Sequence, residues 1–152
     1  MSDEFRWPLR VYYEDTDTGG VVYYANYLKF FERARIEWLR CADIIQQALI
    51  EDDQVMFVVK SAAIDYHAPA KLDDQLEIGV RVEKLGKATV NFSQQAWRRS
   101  EHTLELLCSG LIRVGCVHAI TFRPVPMPQT MFEKINALYT IGGNAHLTSA
   151  TN

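Results

Sequence analysis

Apolar and polar positions change their spacing twice along this chain. From Arg6 to Glu14 they alternate, with Leu9, Val11 and Tyr13 on one side and Arg10, Tyr12 and Glu14 on the other. A period of two marks a half-buried strand. Tyr27, Phe31, Ala34 and Trp38 then recur at i, i+4, i+7 and i+11, which is one face of a helix. Leu28, Phe30 and Leu39 widen that stripe, so the helix is covered on more than one side. Arg33 and Glu37 have the spacing of an i,i+4 pair on the exposed side. Asp43-Ile44-Ile45-Gln46 resembles a capping box opening a short second helix, and Asp52 and Asp53 close that segment.

The period then returns to two. Val55 to Tyr66 is rich in β-branched and apolar residues, and Pro69 with Leu72-Asp73-Asp74 ends it. Leu76, Ile78, Val80 and Val82 alternate with Glu77, Gly79, Arg81 and Glu83. Gly86 marks a turn, Ala88 to Trp97 the next strand, and Arg98 to His102 a polar loop. Leu104 to Val114 and Cys116 to Phe122 form one long strand or two, broken near Gly115. Pro124, Pro126 and Pro128 stop the sheet. Thr130-Met131-Phe132-Glu133 has the form of a capping box for a last helix through Tyr139. The small, polar stretch 142–152 is expected to be disordered. The order of elements gives an α+β domain over 1–141, in which one long apolar helix covers one face of an antiparallel sheet.

With 152 residues, 48% of them apolar and 23% charged, the chain suits one soluble domain. A net charge of −3 leaves no general basic face, so nucleic acid is not an expected partner. Cys41, Cys108 and Cys116 are odd in number and lack C-x-x-C spacing, which points to a reducing compartment. No signal-peptide pattern opens the chain, and no apolar run approaches the roughly 18 residues of a membrane span. A cytoplasmic location is the expectation.

Chemistry concentrates in Asp15 to Tyr24, between the first strand and the long helix. Three readings fit Asp15-Thr16-Asp17-Thr18-Gly19-Gly20. Asp17-Thr18-Gly19 matches the core of the aspartic protease signature, but a long helix follows where that fold has strands. Asp15, Asp17 and Gly20 match part of a calcium loop, but two side-chain ligands and the entering helix are missing. The third is an ordinary strand-to-helix turn. A carboxylate beside a helix N-terminus also has a chemical use. It attacks, or directs water at, a carbonyl whose oxygen is polarised by the unpaired N–H groups. His67, His102, His118 and His146 lack metal-ligand spacing, so no metal is expected. His67, near Pro69 at a strand end, is a candidate for lining a cleft.

Tyr12-Tyr13-Glu14-Asp15-Thr16-Asp17, Gly19-Gly20-Val21-Val22-Tyr23-Tyr24 and Asn26-Tyr27 resemble the opening of hotdog-fold acyl-CoA thioesterases of the 4-hydroxybenzoyl-CoA thioesterase type. Phe5-Arg6-Trp7-Pro8, Phe31-Glu32-Arg33-Ala34-Arg35 and the run from Tyr66 to Asp74 resemble the YbgC branch, associated with the Tol–Pal cell-envelope operon. The resemblance implies a long central helix wrapped by a curved antiparallel sheet of five to six strands, with a C-terminal helix. It implies homodimers with active sites at the subunit interface, often paired into homotetramers. It places the essential carboxylate on Asp17 and the oxyanion-binding backbone N–H at Tyr24.

Gly19, Gly20, Tyr23, Glu32 and His67 become substrate-binding candidates. Tyr13, Tyr23, Phe30 and Phe57 are candidate acyl-pocket walls with core packing as the default for each. Glu32 either meets the acyl group, as its counterpart does in the hydroxybenzoyl type, or pairs with Arg35 at i,i+3. Many YbgC-type members carry His where this chain has Tyr24, which bears on substrate preference. Coenzyme A enters only as part of the substrate, with acyl carrier protein as a further candidate partner and no separate cofactor. Two rival functions remain on the fold alone: a hydratase or dehydratase, and a non-catalytic acyl-binding module or envelope scaffold.

Overall fold

The computed structural model describes residues 4–139; the 142–152 tail lies outside that range. Five antiparallel strands make one sheet: β1 (Phe5–Arg10), β2 (Val55–Tyr66), β3 (Gln75–Leu85), β4 (Thr89–Arg99) and β5 (Leu104–His118). Their spatial order is β1-β3-β4-β5-β2, which leaves β1 and β2 as edges. The long helix α1 (Asn26–Cys41) lies on one face, followed by the short α2 (Gln46–Ala48) and a π-helical turn over Leu49–Asp53. A last helix, α3, occupies residues 129–139. This is the α+β hotdog arrangement, with five strands.

The helix buries Tyr27, Phe30, Phe31, Ala34, Trp38 and Leu39. Trp38 meets the Phe92 ring edge-on at 5.5 Å between centroids. Beneath it, Ile78, Val90, Phe92, Ala96 and Ile112 are buried from β3, β4 and β5. Burying each such large apolar side chain contributes about 1.5–3 kcal/mol. Gly110 lets helix and sheet approach closely, since a Cβ there would sit 2.9 Å from the Phe31 ring.

Several local expectations are corrected. β1 stops at Arg10, and Tyr13–Asp15 forms a 3₁₀ turn instead of continuing the strand. The Tyr12 N–H donates to Asp15 Oδ2 at 2.8 Å, and the Asp15 N–H to the Tyr12 carbonyl at 3.0 Å. These local bonds compete with a sheet ladder, and they leave Tyr13 81% exposed. Leu28 is 43% exposed, so it does not widen the buried stripe. Glu37 lies 3.7 Å from Arg40 rather than pairing with Arg33.

No capping box forms at Asp43. That residue has a φ of 60° just beyond α1, and α2 starts three residues later without a side-chain cap. β4 continues through Arg98 and Arg99, and β5 passes Gly115 unbroken, because neighbours pair with it on both sides. β5 ends at His118, short of Phe122. At the start of α3, Glu133 accepts from the Gln129 side chain at 3.1 Å instead of completing a box with Thr130.

Candidate active site

The segment from Asp15 to Tyr24 is a small hairpin feeding directly into α1. Thr16 and Val22 pair as an isolated bridge. The Gly20 N–H donates to the Asp17 carbonyl at 3.0 Å, and the Asp17 N–H to the Val21 carbonyl at 3.0 Å. Gly20 has a φ of +79°, the left-handed position that a tight loop of this kind assigns to glycine. Asp17 Oδ1 accepts the Gly19 N–H at 2.8 Å, an Asx turn. Among the described residues its Oδ2 has no partner, and the side chain is exposed.

Asp15 has a different role. It is buried, and it fixes the hairpin to the helix. Its carbonyl accepts the Tyr23 N–H at 3.1 Å and the Asn26 side-chain amide at 2.8 Å. From the other side, the Val22 N–H donates to the Ala70 carbonyl at 2.8 Å, and the Ala70 N–H to the Tyr27 hydroxyl at 3.1 Å. Arg98 holds the same loop, bonding to Asp74, Glu105 and the Pro69 carbonyl.

The start of α1 has no side-chain cap. The N–H groups of Asn26, Tyr27 and Leu28 already donate three residues back. Among the described residues, those of Tyr24 and Ala25 have no acceptor. They lie just after the hairpin that carries Asp17, at the positive end of the helix dipole.

Tyr23 and Tyr24 are exposed, with ring centroids 4.8 Å apart. The Tyr24 hydroxyl beside it pushes the Tyr23 phenol pKa up. Tyr66, at the end of β2, donates its hydroxyl to the Tyr24 carbonyl at 3.1 Å. The sequence reading gave Tyr66 no role, because the contact spans 42 residues. His67 is exposed and lies 3.1 Å from the Ser109 hydroxyl.

Glu32 lies elsewhere. It lines a cavity of about 440 Å³ beside β2, with Arg35, Ile36, Phe57, Phe92 and Val114 among the walls. Phe57 lines this cavity, whereas Phe30 is fully buried core and Tyr13 and Tyr23 are exposed. Glu32 makes no ion pair with Arg35. The Arg35 guanidinium donates to Gln94 Oε1 at 2.8 Å instead. Asp17 lines neither this cavity nor a smaller one of about 200 Å³ between α2 and α3. Within one chain Asp17, Gly19, Gly20, Tyr23 and Tyr24 share the hairpin segment that runs into α1, and none of them lines the cavity beside Glu32. Among the described residues no three His, Cys, Asp or Glu side chains cluster as metal ligands.

The model of the thioesterase superfamily matches residues 19–105. The acyl-CoA thioesterase YbgC of Haemophilus influenzae is 47% identical, over 85% of this chain and 92% of its own length. The acyl-CoA thioester hydrolase YbgC of Escherichia coli is 44% identical, over 84% and 92%. Among solved structures, a probable thioesterase from Bartonella henselae superposes with a TM-score of 0.71 at 30% identity, covering 82% of this chain and 98% of that one. Sequence and fold agree, and the chain belongs to the thioesterase superfamily, as a hotdog-fold enzyme of its YbgC family.

Proposed function

We propose that this enzyme hydrolyses acyl-CoA thioesters to the free acid and coenzyme A, with Asp17 as the reacting carboxylate and the Tyr24 N–H as oxyanion donor. The observation that carries the reading is one hairpin that bears a carboxylate with, among the described residues, one oxygen unpartnered, and that runs directly into acceptor-free N–H groups at the start of α1. Thioester hydrolysis suits this equipment. A thiolate leaves without a strong general acid, so what remains is supplying the oxygen and stabilising the tetrahedral oxyanion. Losing one oxyanion donor typically costs about 3 kcal/mol. The carboxylate either attacks the carbonyl carbon, giving a mixed anhydride that water then opens, or takes a proton from the attacking water. In both routes the thiolate departs and is protonated by solvent. Single-turnover hydrolysis in heavy-oxygen water separates them, because only the anhydride route labels Asp17.

Gly19 and Gly20 let the backbone approach the thioester, and Tyr23 and His67 border the entrance. Glu32 joins the acyl end across a homodimer seam, with homotetramers as the higher assembly. β2 supports that seam: it is a 12-residue edge strand, exposed over most of its second half, and such an edge is a template for another chain. No separate cofactor takes part in this reading. Three free thiols suit a reducing cytoplasm, and no described helix is long and apolar enough to cross a membrane. Acyl carrier protein and a link to the Tol–Pal system belong to the same reading by family likeness.

The test is thiol release from a panel of acyl-CoA and acyl-carrier-protein thioesters. Release by the wild type and a loss of at least about 100-fold in Asp17→Asn are expected. Near-normal turnover in that variant overturns the site. Absence of release from every thioester leaves a binding module instead.

A further inference from the structure

The cavity beside β2 has apolar walls, but it also holds a buried cation. Arg35 is 9% exposed. Gln94, fully buried, fixes it by accepting from Nη1 and donating its own amide to the Phe31 carbonyl at 3.0 Å. Only one of the five guanidinium N–H donors is engaged by another side chain among the described residues. Among the described residues no carboxylate lies within ion-pair distance of it. Glu32, one helical turn away, acts on Arg35 only through space. Desolvation pushes Arg35 down to about 10, with Glu32 pulling back up, so the group stays charged at neutral pH. A buried charge without a counter-ion is costly, and this one lines a space large enough for an acyl group.

Arg35 also lies about two and a half turns along α1 from its start at Asn26. With the thioester placed at Asp17 and Tyr24 as proposed above, a cavity this far along the helix would receive the far end of an acyl chain. We propose that Arg35 is a specificity residue: held by Gln94, its guanidinium takes the terminal carboxylate of the acyl chain, so that mono-thioesters of dicarboxylic acids are preferred substrates. Glu32 does not cancel this preference, because its side chain is exposed and water screens it, whereas the guanidinium is not. The inference rests on the thioesterase reading above.

Full-length enzyme is assayed with adipoyl-, suberoyl- and sebacoyl-CoA against hexanoyl-, octanoyl- and decanoyl-CoA. The kcat/KM of the carboxylate-ended member should exceed that of its methyl-ended match by about tenfold or more in at least one pair, the scale of one charge-assisted hydrogen bond. Arg35→Met should bring that ratio to one or below, mainly through KM. Equal rates or a methyl-end preference in the wild type overturn the proposal, as does a ratio unchanged in Arg35→Met. A second reading needs neither turnover nor the variant: suberate should raise the wild-type Tm more than octanoate. If suberate stabilises the protein but no thioester is hydrolysed, the carboxylate site stands and the thioesterase reading fails. If octanoate matches suberate while acyl-CoA is hydrolysed, the carboxylate site fails alone.

Discussion

The Tyr66 hydroxyl donates to the Tyr24 carbonyl at 3.1 Å, tying the end of β2 to the residue whose N–H opens α1. The Tyr66 ring also packs 5.6 Å from the Tyr27 ring and 6.0 Å from that of Tyr24. Tyr66→Phe keeps the ring and removes the bond. A stability loss of about 0.5–1.5 kcal/mol follows from one hydrogen bond, together with a fall in kcat as the backbone on both sides of the Tyr24 Cα gains freedom. Thermal unfolding and steady-state kinetics read the two effects. An unchanged kcat would show that the peptide is held without Tyr66.

Asp15 and Asp17 are two residues apart but carry different duties. Asp15 is 8% exposed and satisfies the Tyr12 N–H, so Asp15→Ala strands a donor in a closed turn. That costs about 1–3 kcal/mol. Asp17→Ala breaks only an exposed Asx turn and should leave the Tm nearly unmoved while activity collapses. Denaturant melts paired with kcat/KM for both variants check this split. A large Tm drop in Asp17→Ala would make its carboxylate structural.

Gly110 sits where β5 passes under the helix. A Cβ there would meet the Phe31 ring at 2.9 Å and the Ile64 methyl at 3.0 Å. Gly110→Val should destabilise by about 1–3 kcal/mol through overpacking, read from the urea midpoint. A wild-type midpoint would mean that the helix can ride outward freely.

The main elements were legible because each keeps one period for many residues. α1 repeats on a helical face from Tyr27 to Trp38, and β3 alternates from Leu76 to Val82. What was illegible depends on partners. β1 ends early because Asp15 captures the Tyr12 N–H, which no periodicity records. Arg35 read as a mate for Glu32 because the two are near in sequence, yet its acceptor is Gln94, 59 residues away. Asp17 and Tyr24 stood out through family likeness and through the turn residues around them, while the Glu32 cavity appears only once β2 folds back beside α1.

β2 makes a claim about assembly. Ala62 pairs with Ile112, whose side chain faces the core and is 1% exposed, yet Ala62 itself is exposed. A second copy along β2 would cover it. Light scattering should give the mass of two or four 17.4 kDa chains, and Ala62→Glu should shift the population toward monomer and lower activity with it. A wild-type monomer with full turnover would remove the seam from the mechanism.

The three thiols separate by burial. Cys41 is exposed, while Cys108 and Cys116 are buried in the sheet. Burial pushes the Cys108 thiol up to about 12 and that of Cys116 up to about 11, from an ordinary value of 9.0. A thiol attacks as its thiolate, so a disulfide reagent at neutral pH should titrate one thiol in the native protein and three after unfolding. Cys41→Ser should remove the native signal. The same shifts fix a pH dependence. Because the folded values are raised, the unfolded chain loses these protons first as pH climbs. The stability they contribute is fully present below pH 9.0 and falls between there and about 11 for Cys116 and about 12 for Cys108. Replacing both by Ala should flatten the alkaline decline in Tm relative to the wild type. An alkaline decline as steep in the double variant would assign it to other groups, and rapid labelling of two or more native thiols would mean that the sheet opens around them.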